Sequence, residues 1–150
     1  MKPWIGVDLD GTLAEYNGWQ GAARIGAPVP EMVDRLKLWL SEGKDVRIFT
    51  ARISPPDPLL PPEEFAGRSL EVGIAAYEIK KWCYLNLGKV LPITYQKDYG
   101  MVECWDDRCV QVEPNTGIRS VEVAFKAGYQ KGLADGYSEH GPQEEHGITN

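Results

Sequence analysis

The sequence predicts an α/β fold built on a mostly parallel central sheet, and two observations carry that expectation. Short apolar runs of strand length alternate along the chain with longer segments of helical period. Chemistry-bearing residues follow directly on these runs: Asp8 and Asp10 after Trp4–Val7, Thr50 after Val46–Phe49, and Asp106 and Asp107 after Met101–Trp105. In open α/β sheets ligands bind outside the carboxyl ends of the strands, which is where these residues fall.

Trp4-Ile5-Gly6-Val7 reads as the first strand, and Gly11 lets the backbone turn after it. Residues 14 to 30 contain Gly18, Gly21, Gly26, Pro28 and Pro30 around Tyr16 and Trp19, the composition of a shaped loop. From Glu31 to Glu42 the residues Met32, Val33, Leu36, Trp39 and Leu40 recur at helical spacing, with Pro30 before and Gly43 after. Asp45 to Phe49 is too short for a helix, and its β-branched and aromatic residues read as a buried strand. Residues 53 to 67 hold Pro55, Pro56, Pro58, Pro61 and Pro62, which remove backbone donors and predict a loop able to serve as a lid.

A second helix is expected over about Ser69 to Leu87, facing the core with Ala75, Ile79, Trp82 and Leu85 and stopped by Gly88. Leu91 to Tyr95 and Met101 to Trp105 are strand-like, and a brief strand is expected around Val110 to Glu113. The Leu91 to Tyr95 run is placed at a sheet edge or outside the sheet, because Gln96 to Gly100 is too short for a parallel crossover. Between Val121 and Tyr137 a small ridge (Ala124, Gly128, Gly132, Gly136) runs beside a bulky one (Val121, Phe125, Tyr129, Leu133, Tyr137), which predicts a terminal helix. Residues 1–137 are read as a single domain with that helix at about 121–137, and residues 138–150 as a polar, loosely ordered tail. His140 and His146, in that tail, are expected to be solvated rather than metal-binding.

A chain of 150 residues with 43% hydrophobic and 25% charged residues has the composition of a folded globular domain. The net charge of -6 argues against a broad nucleic-acid footprint, which asks for a basic face. No run approaches the roughly 20 apolar residues that span a bilayer, and no leader pattern precedes Asp8, so a cytoplasmic location follows by default. Cys83, Cys104 and Cys109 are odd in number and form no C-x-x-C pair, so reduced thiols are expected rather than a disulfide framework or structural zinc.

In an extended segment successive side chains point to opposite faces, so Asp8 and Asp10 share a side and can converge on one hard cation. A calcium loop is excluded, because the position that requires a bidentate acid is Trp19. Asp8-Leu9-Asp10-Gly11-Thr12 resembles the first motif of the haloacid dehalogenase (HAD) superfamily, most of whose members are magnesium-dependent phosphohydrolases. Thr50 after Val46-Arg47-Ile48-Phe49 resembles the second motif, and Asp106-Asp107 the fourth in its paired-acid form. The resemblance covers about residues 4 to 114.

It implies a HAD-like, Rossmann-like three-layer sandwich with a minimal cap or none. It also implies that Asp8 is the nucleophile forming an aspartyl-phosphate, and that Asp10 protonates the leaving group and then activates water. Mg2+ would be held by Asp8, the backbone carbonyl of Asp10, and Asp106 or Asp107. The Thr50 hydroxyl and backbone amide would bind phosphoryl oxygens beside Ala51, and Arg52 and Arg108 stand near enough to contact phosphate. The third motif is a lysine: Lys97, shortly before the paired acids, is favoured over Lys80 and Lys81 in the second helix.

Tyr16, Trp19 and Trp105 are read as packing residues, with Trp19 the best placed of them to meet substrate. Neither loop is long enough for a large cap, which implies an open site for an accessible phosphomonoester, on a small molecule or exposed on a macromolecule. Two further readings stay open: a polynucleotide or nucleotide end phosphatase, and a non-catalytic phosphate- and metal-binding regulatory module.

Overall fold

The computed structural model of the chain describes residues 2–139, with side chains through residue 135. The described residues fall into two compact units, one up to Arg108 and one from Cys109 onward.

In the first unit, β1 (Trp4–Val7), β2 (Asp45–Phe49), β3 (Ile93–Thr94) and β4 (Met101–Trp105) form one sheet in the order β3-β2-β1-β4. Every pairing is parallel. Parallel neighbours need long crossovers: α1 (Pro30–Ser41) links β1 to β2, and α2 (Pro62–Leu87) links β2 to β3. Ile5 lies beside Val46 and Val7 beside Ile48, which gives the sheet one continuous apolar face. Met32, Val33, Leu36 and Trp39 of α1 and Ile79, Trp82, Cys83 and Leu87 of α2 join those four in a single buried cluster. Each fully buried aliphatic side chain in it contributes on the order of 1.5–3 kcal/mol of transfer free energy.

Both helices therefore lie on one face. The connection from β3 at one edge to β4 at the other runs only from Tyr95 to Gly100, too short to carry a helix. Instead Asp98 accepts the Trp4 indole N–H at 2.8 Å and the Gly100 amide at 2.7 Å, while Arg47 stacks on the Trp4 ring at 4.5 Å. Residues 2–108 thus form a sheet with α1 and α2 packed on one face.

Two element boundaries differ from the sequence reading. The helix expected from Ser69 begins at Pro62, inside the stretch expected to be a loop. Pro61 is its N-cap and Pro62 its first residue, positions where a missing N–H costs nothing, and Glu63 and Glu64 favour the positive end of the helix dipole. The run Leu91 to Tyr95 narrows to the two-residue β3, an edge strand paired only with β2.

In the second unit, Val112 and Arg119 make an isolated antiparallel bridge where a strand over Val110 to Glu113 was expected. The terminal helix, α3, runs Ser120–Glu139, two residues into the stretch read as a tail. Val121, Phe125, Tyr129 and Leu133 are exposed along it. The rest of the tail, with His140 and His146, lies outside the described residues. No helix among the described residues is long and apolar enough to cross a membrane.

Candidate active site

Asp8 stands immediately past the carboxyl end of β1, and its backbone N–H continues the ladder to the Trp105 carbonyl at 2.8 Å. Its neighbours on either side are the carboxyl ends of β2 and β4, so the three remote motifs arrive at one edge because the strands that carry them are adjacent. Asp8 is 5% exposed. Burial pushes its carboxyl up from an ordinary 3.8 to about 6; the Asp106 charge adds to this, as do Asp10 and Asp107, against the pull of the Leu9 N–H.

One carboxylate oxygen each from Asp8, Asp106 and Asp107 lie within 4.8 Å of one another. Such a set of hard anionic donors suits a divalent cation of the magnesium type. The turn after Leu9 builds this closeness. Gly11 has φ +92°, and a Cβ there would meet the Asp107 carboxylate at 2.6 Å, so only glycine lets the two loops approach. Thr12 bridges them: its hydroxyl lies 3.5 Å from Asp8 Oδ2 and accepts the Asp107 N–H at 3.0 Å. Thr12 is a site residue to which the sequence reading gave no role of its own, although its place in the first motif marked it.

Asp10 turns elsewhere. Both of its oxygens accept from Arg52, Nε to Oδ2 at 2.6 Å and Nη2 to Oδ1 at 2.7 Å, in a fork with side chains 5% (Arg52) and 16% (Asp10) exposed. The third nitrogen, Nη1, donates to the Ala22 carbonyl at 3.4 Å, and the guanidinium stacks on Trp19 at 4.9 Å. Arg52, expected on substrate phosphate, thus has its fork committed to Asp10, a pairing that two residues 42 positions apart do not announce in the sequence.

Thr50 is buried. Its hydroxyl oxygen accepts the Arg52 N–H at 3.3 Å, which leaves the O–H to donate. Its backbone amide is not available for a phosphoryl oxygen, because it donates to the Thr94 carbonyl at 2.9 Å as the last bond between β2 and β3. Ala51 opens the short 3-10 turn that carries Arg52.

A cavity of about 600 Å3 opens over Asp8, Asp10, Thr50, Ala51, Arg52 and Asp107. Tyr16 and Trp19 wall one side; Pro55, Pro56 and Leu60 wall another, together with Arg68 and Val72 from the early turns of α2. That last wall exists because α2 starts at Pro62. Lys97 is exposed and is not among the residues lining the cavity, and neither is Lys80 or Lys81. Its lining cations are Arg52, Arg68 and Arg108. Trp105 packs against Trp39, with ring centroids 5.2 Å apart, and carries Arg35 on its face.

No protein-family model matches the chain, and neither the curated proteins nor the solved structures contain a match.

Proposed function

We propose that the chain is a phosphohydrolase of the HAD superfamily, magnesium-dependent, with little cap, acting on an accessible phosphomonoester through an aspartyl-phosphate on Asp8. The observation that carries this reading is the gathering of the Asp8, Asp106 and Asp107 oxygens at one sheet edge, beside a buried threonine hydroxyl.

Asp8 attacks phosphorus and the bond to the leaving oxygen breaks, with Asp10 supplying the proton that oxygen needs. Water then attacks the acyl phosphate, Asp10 takes its proton, and Asp8 and inorganic phosphate are regenerated. Asp8, Asp106 and Asp107 would hold Mg2+, which when bound neutralises the repulsion between a carboxylate nucleophile and a phosphate. Thr50 donates its hydroxyl proton to a phosphoryl oxygen. With no lysine lining the cavity, the positive charge facing a phosphate there falls to the arginines.

A cavity of this volume, walled by Tyr16, Trp19, Pro55, Pro56 and Leu60, suits a leaving group of metabolite size with apolar or planar surface. The test is hydrolysis of p-nitrophenyl phosphate with and without magnesium. Asp8→Asn should lower kcat by at least 10³-fold, since it removes the nucleophile. Near-normal turnover by that variant overturns the reading. Wild-type protein that binds phosphate and magnesium but neither turns over nor forms a beryllofluoride adduct at Asp8 would be a regulatory module instead.

A further inference from the structure

We infer that Arg52 is a shared ligand: its guanidinium grips Asp10 or a phosphoryl group, so that binding phosphate and freeing Asp10 are one event. The inference rests on the phosphatase reading above and assigns that site a coupling between two of its residues.

Three observations lead to it. Both Asp10 oxygens are engaged by Nε and Nη2 of Arg52, at 2.6 and 2.7 Å, so the carboxylate faces the guanidinium rather than a leaving group. Arg52 is already at the proposed phosphate site, since it lines the same cavity as Asp8, Asp10 and Thr50. A phosphoryl group matches the fork as well as a carboxylate does, with two oxygens at suitable spacing and greater negative charge.

The remaining contacts keep the exchange local. Trp19 supports the plane of the guanidinium at 4.9 Å and the Ala22 carbonyl holds Nη1 at 3.4 Å, so the group can change partner by a small shift within its plane. Both supports belong to the segment between Ala14 and Val29, which closes on itself through the bridge from Ala14 to Pro28. This segment therefore sets where the guanidinium rests, and with it how readily Asp10 is released.

The test is calorimetric titration of inorganic phosphate into the full chain with magnesium present, for wild type, Asp10→Asn, Arg52→Gln and the double variant. Removing the competitor should tighten phosphate about tenfold in Asp10→Asn, and removing the ligand should weaken it about tenfold in Arg52→Gln. In the Arg52→Gln background, Asp10→Asn should give no gain. An equal gain in both backgrounds would mean simple charge repulsion and overturn the inference, as would no gain in Asp10→Asn. Phosphate that binds none of the four proteins overturns the phosphatase reading as well. If Arg52→Gln does not fold, Arg52→Lys keeps the charge, removes the fork and serves as the reference background.

Discussion

Asp8 is held where its charge is unfavourable, and that has a measurable consequence. Its carboxyl is raised to about 6, so between roughly pH 4 and 6 the folded protein retains a proton that the unfolded chain gives up. Stability from this residue accordingly falls as pH rises through that window, and the whole penalty is present above it. In metal-free buffer at pH 7.5, Asp8→Asn should be more stable than wild type by up to about 3 kcal/mol, with the difference shrinking as pH falls below about 6; urea unfolding at pH 7.5 and pH 4.5 checks it. Burial likewise pushes the Cys83 thiol up to about 11, whereas Cys104 and Cys109 are exposed. Under native conditions a thiol reagent at pH 8 should modify Cys104 and Cys109 and spare Cys83 until the protein unfolds. At this scale the sequence made Asp8, Asp106 and Asp107 legible, because each follows a strand-length apolar run and strand ends meet at one edge. It did not reveal the Arg52 fork on Asp10 or the use of the Thr50 amide by Thr94. Both depend on side-chain direction and on which strand lies beside which.

Among the elements, the segment from Tyr95 to Gly100 does the work that a helix would do in a longer chain. Asp98 fastens it: the Trp4 indole N–H, the Gly100 amide and the Arg47 guanidinium all converge on its carboxylate and hold it below the usual carboxylate range. Asp98→Ala should destabilise the protein and loosen the start of β4, read as a lower denaturation midpoint and faster amide exchange at Trp4 and Met101. The loop that follows Ala14 is fixed differently. A Cβ on Gly26 would collide with the Glu15 carbonyl, and the Gly26 carbonyl itself accepts the Trp82 indole N–H at 2.9 Å. Gly26→Ala should therefore destabilise the fold by about 1–3 kcal/mol and weaken phosphate binding, because Trp19 and Ala22 move with the loop. Helical and strand periodicity located α1, β2 and β4 in the sequence. The beginning of α2 was hidden by its prolines, which read as breakers although Pro61 and Pro62 occupy the two positions a helix start tolerates.

Over the whole molecule, the buried apolar cluster is drawn from residues between Ile5 and Leu91, all within the first unit. Magnesium added at about 100 times its Kd should stabilise wild type by about 2.7 kcal/mol and raise its Tm by several degrees, and Asp8→Asn should lose most of that gain. Scanning calorimetry with and without chelator checks it. The class of fold was readable from the alternation of elements, but the short link from β3 to β4 was not turned into a strand order, since that depends on which strands become neighbours. The stacking of Trp19 on Arg52 gives the molecule one more property. Trp4, Trp39 and Trp82 are buried, whereas Trp19 is 55% exposed with a cation on its ring. If the guanidinium moves when an oxyanion enters, the emission of that indole changes in wavelength and intensity. That exchange would make Trp19 an optical reporter of occupancy, readable in a stopped-flow fluorimeter without any label.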